Sequence, residues 1–375
     1  MEFKKVKLRE LSLRITKGTT PNKEAFKGSD VTYIKSDSLN FNGFIDKKLF
    51  VTIDEKTHIG KLKRSILKED DILYSIAGAY LGKVGIVKKE YLPANTNQAV
   101  GIISLNNNIV FPKYIYYYLQ LSKIRYFANN SISQSAQPNI NLEQLGDFDI
   151  NICELEEQKK IVFILDSITR KIELNNLIND NLYNQAVVIY NDKFGCTSQE
   201  NYSIGDYLVP KRGKNLLSRD AVLGDVPVIA GGLEPATYHN VSNTNAPVIT
   251  ISASGANAGY INLWNVPVWS SDSSYIDKDI TNNVYFWYVT LKTRQKEIFD
   301  AQTGSAQPHI YPQHIAQLPM SKLEDKDILK YEKQVEPFFK MIGKNKEENK
   351  YLETLRDTLL PKLMNGEIDL SNIKG

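Results

Sequence analysis

The sequence predicts a tandem repeat of two mixed α/β domains, each followed by a long helix that pairs with the other as an antiparallel coiled coil. Three observations predict this fold class: a six-residue segment that recurs, an alignment around it that covers most of the chain, and two long stretches with helical periodicity. The recurring segment reads SAQPNI at 135–140 and SAQPHI at 305–310.

The alignment around the recurring segment predicts the elements of the repeated domain. YIYYYLQ, from 114, faces VYFWYVT, from 284, and both space large apolar residues three and four positions apart, which predicts one buried helical face in each copy. Upstream, ILYSIAGAYLGKVGIV faces VITISASGANAGYINL, and each resembles an apolar strand, a glycine-rich turn and a second strand. VTYIKSD faces VPVIAGG, and Lys17-Gly18 faces Arg212-Gly213. The offset changes between these blocks, which indicates insertions in the loops.

Two long amphipathic stretches follow the two copies. The first contains neither proline nor glycine and predicts a helix from 155 to 193, about 58 Å long. The second runs to the end of the chain, with Pro337 expected in its first turn and Pro361 expected to end or kink it. The apolar residues expected in the helix seam are Ile161, Leu165, Ile168, Ile172, Val335, Phe338, Ile342, Leu352, Leu355 and Leu359.

Asparagines fill the middle of both stripes, at 175 and 179 and at 345 and 349. Polar asparagine in a helix seam lowers stability and favours one register, so we expect the two stripes to bury each other. The short links between domain and helix favour an antiparallel pair. The alternative is that each helix packs along its own domain.

These elements predict four segments: a first α/β domain at 1–152, a central helix at 153–194, a second α/β domain at 195–322 and a C-terminal helix at 323–375. The expected arrangement is a rigid rod that carries two related heads with pseudo-twofold symmetry. A rod that fixes the distance between two heads suits duplex DNA, where two major-groove segments can be read on either side of an unread spacer.

Composition limits the classes of function. Lys and Arg number 46 and Asp and Glu 43, a net charge of +3, so a nucleic-acid surface requires local clusters of basic residues. Two cysteines exclude a disulfide framework, the N-terminus has no secretory apolar segment and no apolar run is long enough to span a bilayer. We therefore expect a soluble cytoplasmic protein with no membrane partner.

Enzymatic motifs are missing from the sequence. GAYLGKVG lacks the spacing and the Ser or Thr of a phosphate-binding loop, and the four histidines and two cysteines have no zinc spacing. The absence of a Pro-Pro dipeptide excludes an amino-methyltransferase motif of the Asn-Pro-Pro-Tyr/Phe kind. We expect a non-catalytic chain without a metal.

Basic, glycine-containing loops and polar hairpin tips are the predicted DNA contacts, because such loops suit phosphates and side chains at hairpin tips can reach base edges. The base readers are expected where the two copies diverge, and the shared SAQP segment is expected to serve the scaffold. The candidate residues are Lys17, Thr19, Thr20, Lys35, Asp37, Tyr80, Lys83 and Asn97 in the first copy, and Lys211, Arg212, Lys214, Tyr238, His239, Asn257, Tyr260 and Asp272 in the second.

The order of these motifs resembles the DNA-specificity subunit of type I restriction–modification systems. The matching segments are GTTP at 18–21, YIKSDSLNFNGFI, GKVGI, NTNQAV, SAQPNINLEQL, LEEQKKIVFILDSITRKIELN and LRDTLLPKLMNGEI, and KRGKN in the second copy departs from the pattern.

The resemblance implies two target-recognition domains that each read half of a bipartite site in double-stranded DNA. It also implies that the paired helices dock methyltransferase subunits and a translocating restriction subunit. S-adenosylmethionine, ATP and Mg are then expected in those partners, with no cofactor in this chain. The alternatives are a protein-interaction scaffold that binds no DNA and an enzyme with unrecognised catalytic groups.

Overall fold

The computed structural model of the chain describes residues 2–78, 81–130, 139–195, 202–304 and 307–371. They form two compact units: unit 1 comprises Met1–Lys171 and Tyr351–Gly375, and unit 2 comprises Ile172–Lys350. Each unit therefore contains one α/β copy together with parts of both long helices.

The described residues of unit 1 form nine strands and the helices that pack on them. The strands are β1 (Lys4–Lys7), β2 (Ser12–Lys17), β3 (Val31–Ile34), β4 (Val51–Ile53), β5 (Ile72–Ser75), β6 (Val84–Ile86), β7 (Ala94–Thr96), β8 (Val100–Leu105) and β9 (Asp149–Ile152). The helices are α1 (Leu8–Leu11), α2 (Glu55–Ile59), α3 (Pro112–Tyr118), α4 (Ser122–Asn130), α5 (Leu142–Gly146) and the start of α6 (Leu155–Phe194). The sheets have the orders β2-β8-β5-β6, β4-β3-β7 and β1-β9.

Unit 2 repeats this topology. Its strands are β10 (Tyr202–Ser203), β11 (Lys211–Arg212), β12 (Val226–Ile229), β13 (Thr237–His239), β14 (Val248–Ser252), β15 (Ile261–Trp264), β16 (Trp269–Ser270), β17 (Ser273–Ile276) and β18 (Pro319–Met320). Its helices are α7 (Val284–Thr293), α8 (Gln295–Asp300), α9 (Pro312–Ala316) and most of α10 (Asp325–Met364). The orders β11-β17-β14-β15, β13-β12-β16 and β10-β18 match those of unit 1 strand for strand. The predicted repeat is confirmed.

The repeated helix of each copy lies at the centre of its unit. The residues of α3 from Tyr114 to Tyr118 are all buried, whereas the spacing predicted a single buried face. The segment YIYYYLQ has only apolar and aromatic residues before its glutamine, so no side of α3 favours water. The hydroxyl of Tyr114 donates to the backbone oxygen of Asn151 at 2.7 Å, and that of Tyr117 donates to Asp166 Oδ1 on α6 at 2.8 Å.

The two long helices pack against each other, with opposite chain directions. In unit 1, Ile161 and Leu165 of α6 share a buried cluster with Leu360 and Leu363 of α10. In unit 2, the Tyr331 hydroxyl of α10 donates to the backbone oxygen of Ala186 of α6 at 2.9 Å. Early residues of α6 thus accompany late residues of α10, which confirms the antiparallel pair. The same clusters include strand and α3 or α7 residues, so each helix also packs on its own α/β domain.

The seam asparagines form a hydrogen-bonded ladder within unit 2. Asn175 Nδ2 donates to Asn349 Oδ1 at 2.8 Å, and Asn345 Nδ2 donates to Asn179 Oδ1 at 2.8 Å. Asn349 Nδ2 donates in turn to Asn176 Oδ1 at 2.9 Å. Asn175, Asn345 and Asn349 are 1%, 7% and 8% exposed, so an amide without a partner at these positions would be costly. The ladder therefore favours a single register of the pair.

On α10, several of the fully buried positions are not the ones predicted for the seam. Phe338 is half-buried and Phe339 fully buried, and Leu352, Leu355 and Leu359 are only partly buried. The fully buried residues near the end of α10 are Arg356, Leu360, Leu363 and Met364. The helix packs on the domain core as well as on α6, so its buried face is wider than a coiled-coil stripe and is centred elsewhere.

The placement of Pro337 in a first turn is wrong. Helix α10 begins at Asp325, so Pro337 lies in its interior, with an exposed side chain. Proline removes the hydrogen bond to the carbonyl of Lys333, and at an exposed position water can solvate that carbonyl. Pro361 lies in the last turn, and the helix ends at Met364.

A buried glutamate on α10 gives unit 2 a predicted pH dependence. Glu332 accepts the backbone N–H groups of Tyr285 and Phe286, at 3.1 and 2.7 Å, at the start of α7. Burial raises the pKa of the Glu332 carboxyl from 4.5 to about 7. The folded state therefore binds more protons than the unfolded state between these values, and the free energy of unfolding should fall as the pH rises through about 7, by on the order of 3 kcal/mol.

Denaturant unfolding of the full chain at pH 5 and pH 8 measures this effect. Glu332→Gln should reduce the difference in stability between the two pH values, because the amide does not titrate. Glu347→Gln, a change at an exposed glutamate on the same helix, should leave the difference as it is in the unchanged chain. An identical pH dependence in the Glu332 variant would show that this carboxyl ionises normally.

Candidate nucleic-acid interface

The first predicted basic loop of unit 1 is fixed by its glycine. The Gly18 N–H donates to Val100 O at 2.9 Å and the Thr19 N–H donates to Thr96 O at 3.0 Å. A Cβ at Gly18 would lie 2.1 Å from Asn97 O, so a residue with a side chain cannot occupy this position without displacement of backbone. The close approach packs Asn97 against Gly18 in the loop that carries exposed Lys17 and Thr20.

The loop KRGKN in unit 2 has the same backbone arrangement despite its different sequence. The Gly213 N–H donates to Ser273 O at 2.8 Å, and the Lys214 N–H donates to Ser270 O at 2.9 Å. Lys211 and Lys214 are exposed, while Arg212 forms an ion pair with Asp272 at 2.6 Å. The structure thus brings four of the predicted residues together in unit 2.

The glycine in this loop carries a prediction with a matched control. A Cβ at Gly213 would lie 2.4 Å from Ser270 O, and a Cβ at exposed Gly232 would meet nothing closer than 3.4 Å. Gly213→Ala should therefore destabilise the chain by about 1–3 kcal/mol and displace the loop, whereas Gly232→Ala should be nearly neutral. Denaturant unfolding of the two variants measures the difference, and equal stabilities would contradict the proposed constraint.

Two glycine-containing hairpins correspond to each other in the two units. Gly78 and Gly82 follow β5, Gly255 and Gly259 follow β14, and all four have positive φ. Predicted Lys83 is half-exposed, and Tyr80 lies outside the described residues.

The second hairpin positions two further predicted residues of unit 2. Asn257 and Tyr260 are half-exposed. The Nζ of Lys292 lies 4.1 Å from the centre of the Tyr260 ring and donates to Ile261 O at 2.9 Å. Burial lowers the pKa of Lys292 from 10.5 to about 8. This cation–π contact fixes the ring at the base of the hairpin.

The remaining predicted residues have different environments. Lys35 and exposed Asp37 form an ion pair at 3.7 Å directly after β3. Tyr238 is 40% exposed. His239 is 7% exposed, its Nδ1 accepts the backbone N–H of Val222 at 3.0 Å and its ring lies edge-on to Trp269. The buried ring of His239 thus already has structural partners, which argues against a role in reading bases.

A basic group that the sequence analysis missed lies beside the loop of unit 1. Arg64 Nε donates to Thr19 Oγ1 at 3.2 Å, and Lys61 Nζ donates to Asn22 Oδ1 at 2.7 Å. Both belong to the run KLKR at 61–64, and both side chains are exposed. The run is visible in the sequence, but its proximity to the loop depends on the packing of the turn at 63–65.

An open pocket of about 590 Å³ adjoins the same loop in unit 1. Its polar lining consists of Lys17, Gln98, Asn139, Asn141 and Glu143. Asn141 caps α5 by accepting the Gln144 N–H. The pocket brings the recurring segment and the basic loop to one surface.

The chemistry of this surface is that of hydrogen bonding and charge. Its exposed groups are mainly ammonium, guanidinium, amide and hydroxyl donors, which suit phosphates and base edges. The described part of the chain contains no cluster of three or more histidine, cysteine, aspartate or glutamate residues able to hold a metal ion. Among the described helices, none has the length and apolar character needed to cross a membrane.

Comparison with known proteins identifies a family for the N-terminal part of the chain. Residues 1–184 match the family model described as type I restriction modification DNA specificity domain. Residues 1–184 of this chain therefore belong to the type I restriction–modification DNA specificity domain family. Specificity subunits are non-catalytic components of their complexes.

Two specificity subunits illustrate the range of similarity. The type I restriction enzyme MjaIX specificity subunit of Methanocaldococcus jannaschii is 23% identical over 408 residues, which cover 95% of this chain and 91% of that protein. The HindI specificity subunit of Haemophilus influenzae is 30% identical over 137 residues, or 36% of this chain and 30% of that protein.

A solved structure has the same fold. The S subunit of a type I restriction–modification system from M. genitalium superposes with a TM-score of 0.54 at 19% identity, over 96% of each chain.

Proposed function

We propose that this chain selects the DNA sequence for a type I restriction–modification complex by reading a bipartite site in double-stranded DNA. The observation that carries the proposal is the repeated loop architecture. In unit 1 the glycine of a basic loop lies directly against strands β7 and β8, and in unit 2 the equivalent glycine lies against β16 and β17. A glycine-containing hairpin accompanies the loop in each unit. Two sets of donors on the same framework suit two half-sites that share a DNA backbone and differ in bases.

The division of labour follows the predicted segments. The α/β domains at 1–152 and 195–322 each read one half-site, and the helices at 153–194 and 323–375 fix the separation and dock the partner subunits. The asparagine ladder supports this role, because a fixed register is what a spacer requires. The predicted DNA contacts remain those named from the sequence, with Lys61 and Arg64 added and His239 withdrawn.

The chemistry of modification and cleavage belongs to the partners in this proposal. Methyltransferase subunits bind S-adenosylmethionine and modify an extruded adenine, and a translocating restriction subunit uses ATP and Mg. This chain supplies the selection of the site and acts in the cytoplasm, where such a complex meets chromosomal DNA.

Sequencing of methylated adenines in the source cell, with and without this gene, tests the proposal. We expect one bipartite methylated motif to disappear when the gene is removed and to return when the gene is restored. A matched strain that lacks the partner methyltransferase should lose the same motif. An unchanged methylome, with this chain and a methyltransferase both expressed, would favour a scaffold that has no role in DNA recognition.

A further inference from the structure

Asn139 and Ile140 occupy the same structural position in unit 1 as His309 and Ile310 in unit 2. The Ile140 N–H donates to Ile76 O at 2.9 Å after β5, and the Ile310 N–H donates to Ala253 O at 3.0 Å after β14. Both isoleucines are buried, at 3% and 1% exposure. They therefore anchor the described end of each copy, residues 139–140 and 309–310, to the scaffold of its unit.

The residue before each isoleucine is the position at which the two copies of the segment differ, and it is solvent-accessible. Asn139 forms an isolated bridge with Ala77 and is exposed, and His309 forms the equivalent bridge with Ser254 and is half-exposed. An asparagine amide and a histidine ring share the ability to donate a hydrogen bond through nitrogen. The two side chains thus present the same kind of donor at equivalent places.

A cation of the aligned basic loop accompanies this donor in each unit, within one pocket in unit 1 and through a carboxylate in unit 2. Lys17 lines the pocket together with Asn139 in unit 1. In unit 2, the hydroxyl of Ser254, the bridge partner of His309, donates to Asp272, whose other oxygen accepts from Arg212 at 2.6 Å. Lys17 and Arg212 are aligned in the repeat, so a cation and a nitrogen donor recur as a pair.

We propose that Lys17 with Asn139, and Arg212 with His309, form one DNA-phosphate site in each unit. The proposal rests on the proposed function, and it adds that each of these residue pairs binds a phosphate group of the DNA. Two domains that read different half-sites have the sugar-phosphate backbone in common, so a constellation repeated in both suits a phosphate better than a base. The recurring segment then fixes the position of each domain on the duplex and carries no sequence information.

Equilibrium binding of the full-length chain to its bipartite duplex and to an unrelated duplex tests the site. Asn139→Ala with His309→Ala should weaken both affinities by the same factor, roughly three- to tenfold, and leave the sequence selected from a random pool unchanged. Lys17→Gln should also lower the dependence of log affinity on log salt by about one. Glu143→Gln should tighten both affinities, because it removes a carboxylate from the pocket.

Two controls separate the possible failures. Lys296→Gln, at an exposed lysine on α8, should leave affinity and salt dependence unchanged, and thermal unfolding should show that every variant is folded. A loss confined to one base position in the Asn139 and His309 variant would assign these residues to base reading and overturn the phosphate site. Unchanged affinities would overturn it as well. Absence of sequence-specific binding by the unsubstituted chain would instead contradict the proposed function.

Discussion

An insertion of five base pairs between the two half-sites is expected to reduce the affinity to that for non-specific DNA, about a thousandfold or more. Half a helical turn moves the second half-site to the opposite side of the duplex. Paired helices with a hydrogen-bonded seam cannot follow that movement without breaking the register of the pair. Competition binding with duplexes that differ only in spacer length measures the effect.

An insertion of about ten base pairs, a full turn, serves as the matched duplex. It returns the second half-site to its original side of the duplex but increases the separation of the two half-sites by about 34 Å. A spacer of fixed length predicts that this duplex also binds at the non-specific level. Recovery of affinity after the full turn would indicate a flexible connection, and retained affinity after the half turn would contradict bipartite reading.

Replacement of a single seam asparagine is expected to destabilise the helix pair, and replacement of all four to stabilise it. Asn349→Leu removes the acceptor of Asn175 and the donor to Asn176, and leaves a buried amide short of a partner. The expected cost is about 2 kcal/mol. Leucine at 175, 179, 345 and 349 together removes the four seam amides, leaves exposed Asn176 to bond water instead, and adds apolar burial, so the melting temperature should rise.

The fourfold variant should pair its helices in more than one register, because apolar seams specify register poorly. We therefore expect it to tolerate altered half-site spacing better than the unchanged chain, at higher thermal stability. Circular dichroism melting and the spacer-length series measure the two effects. Asn181→Leu, at an exposed position of α6, is the matched control and should change neither. A fourfold variant that is less stable than Asn349→Leu would show that the ladder is a net source of stability.

The repeat and its elements could be predicted because they depend on local pattern. Apolar runs with glycine-rich turns predicted β5–β6 and β14–β15, and the absence of proline and glycine after 154 predicted α6. The asparagines at 175, 179, 345 and 349 were predictable as seam residues because they interrupt an apolar stripe at helical spacing. These features require only the two periodicities of strand and helix.

The features that sequence patterns could not predict depend on packing between distant segments. Pro337 was expected near a helix start, but α10 begins twelve residues earlier, at Asp325. Arg356 is 3% exposed and donates to Asn42 O, although a charged residue in a polar helix usually remains in water.

The positions of the loops in the candidate interface could be predicted from the sequence, but the exposure of individual side chains was harder to predict. Glycine beside lysine or arginine indicated the loops at 17–20 and 211–214, and both lie against the ends of neighbouring strands. His239 was selected because it differs between copies, but its ring is buried against Trp269. Divergence between repeats identifies residues free to differ and does not distinguish a buried side chain from an exposed one.

Selection of binding sites from a random duplex pool by the full-length chain, together with its partner subunits where the chain requires them, tests the central claim most directly. Recognition by two related domains at a fixed separation predicts two short conserved blocks divided by an unselected gap of one constant length. A pool without enrichment, or a single uninterrupted motif, would contradict it.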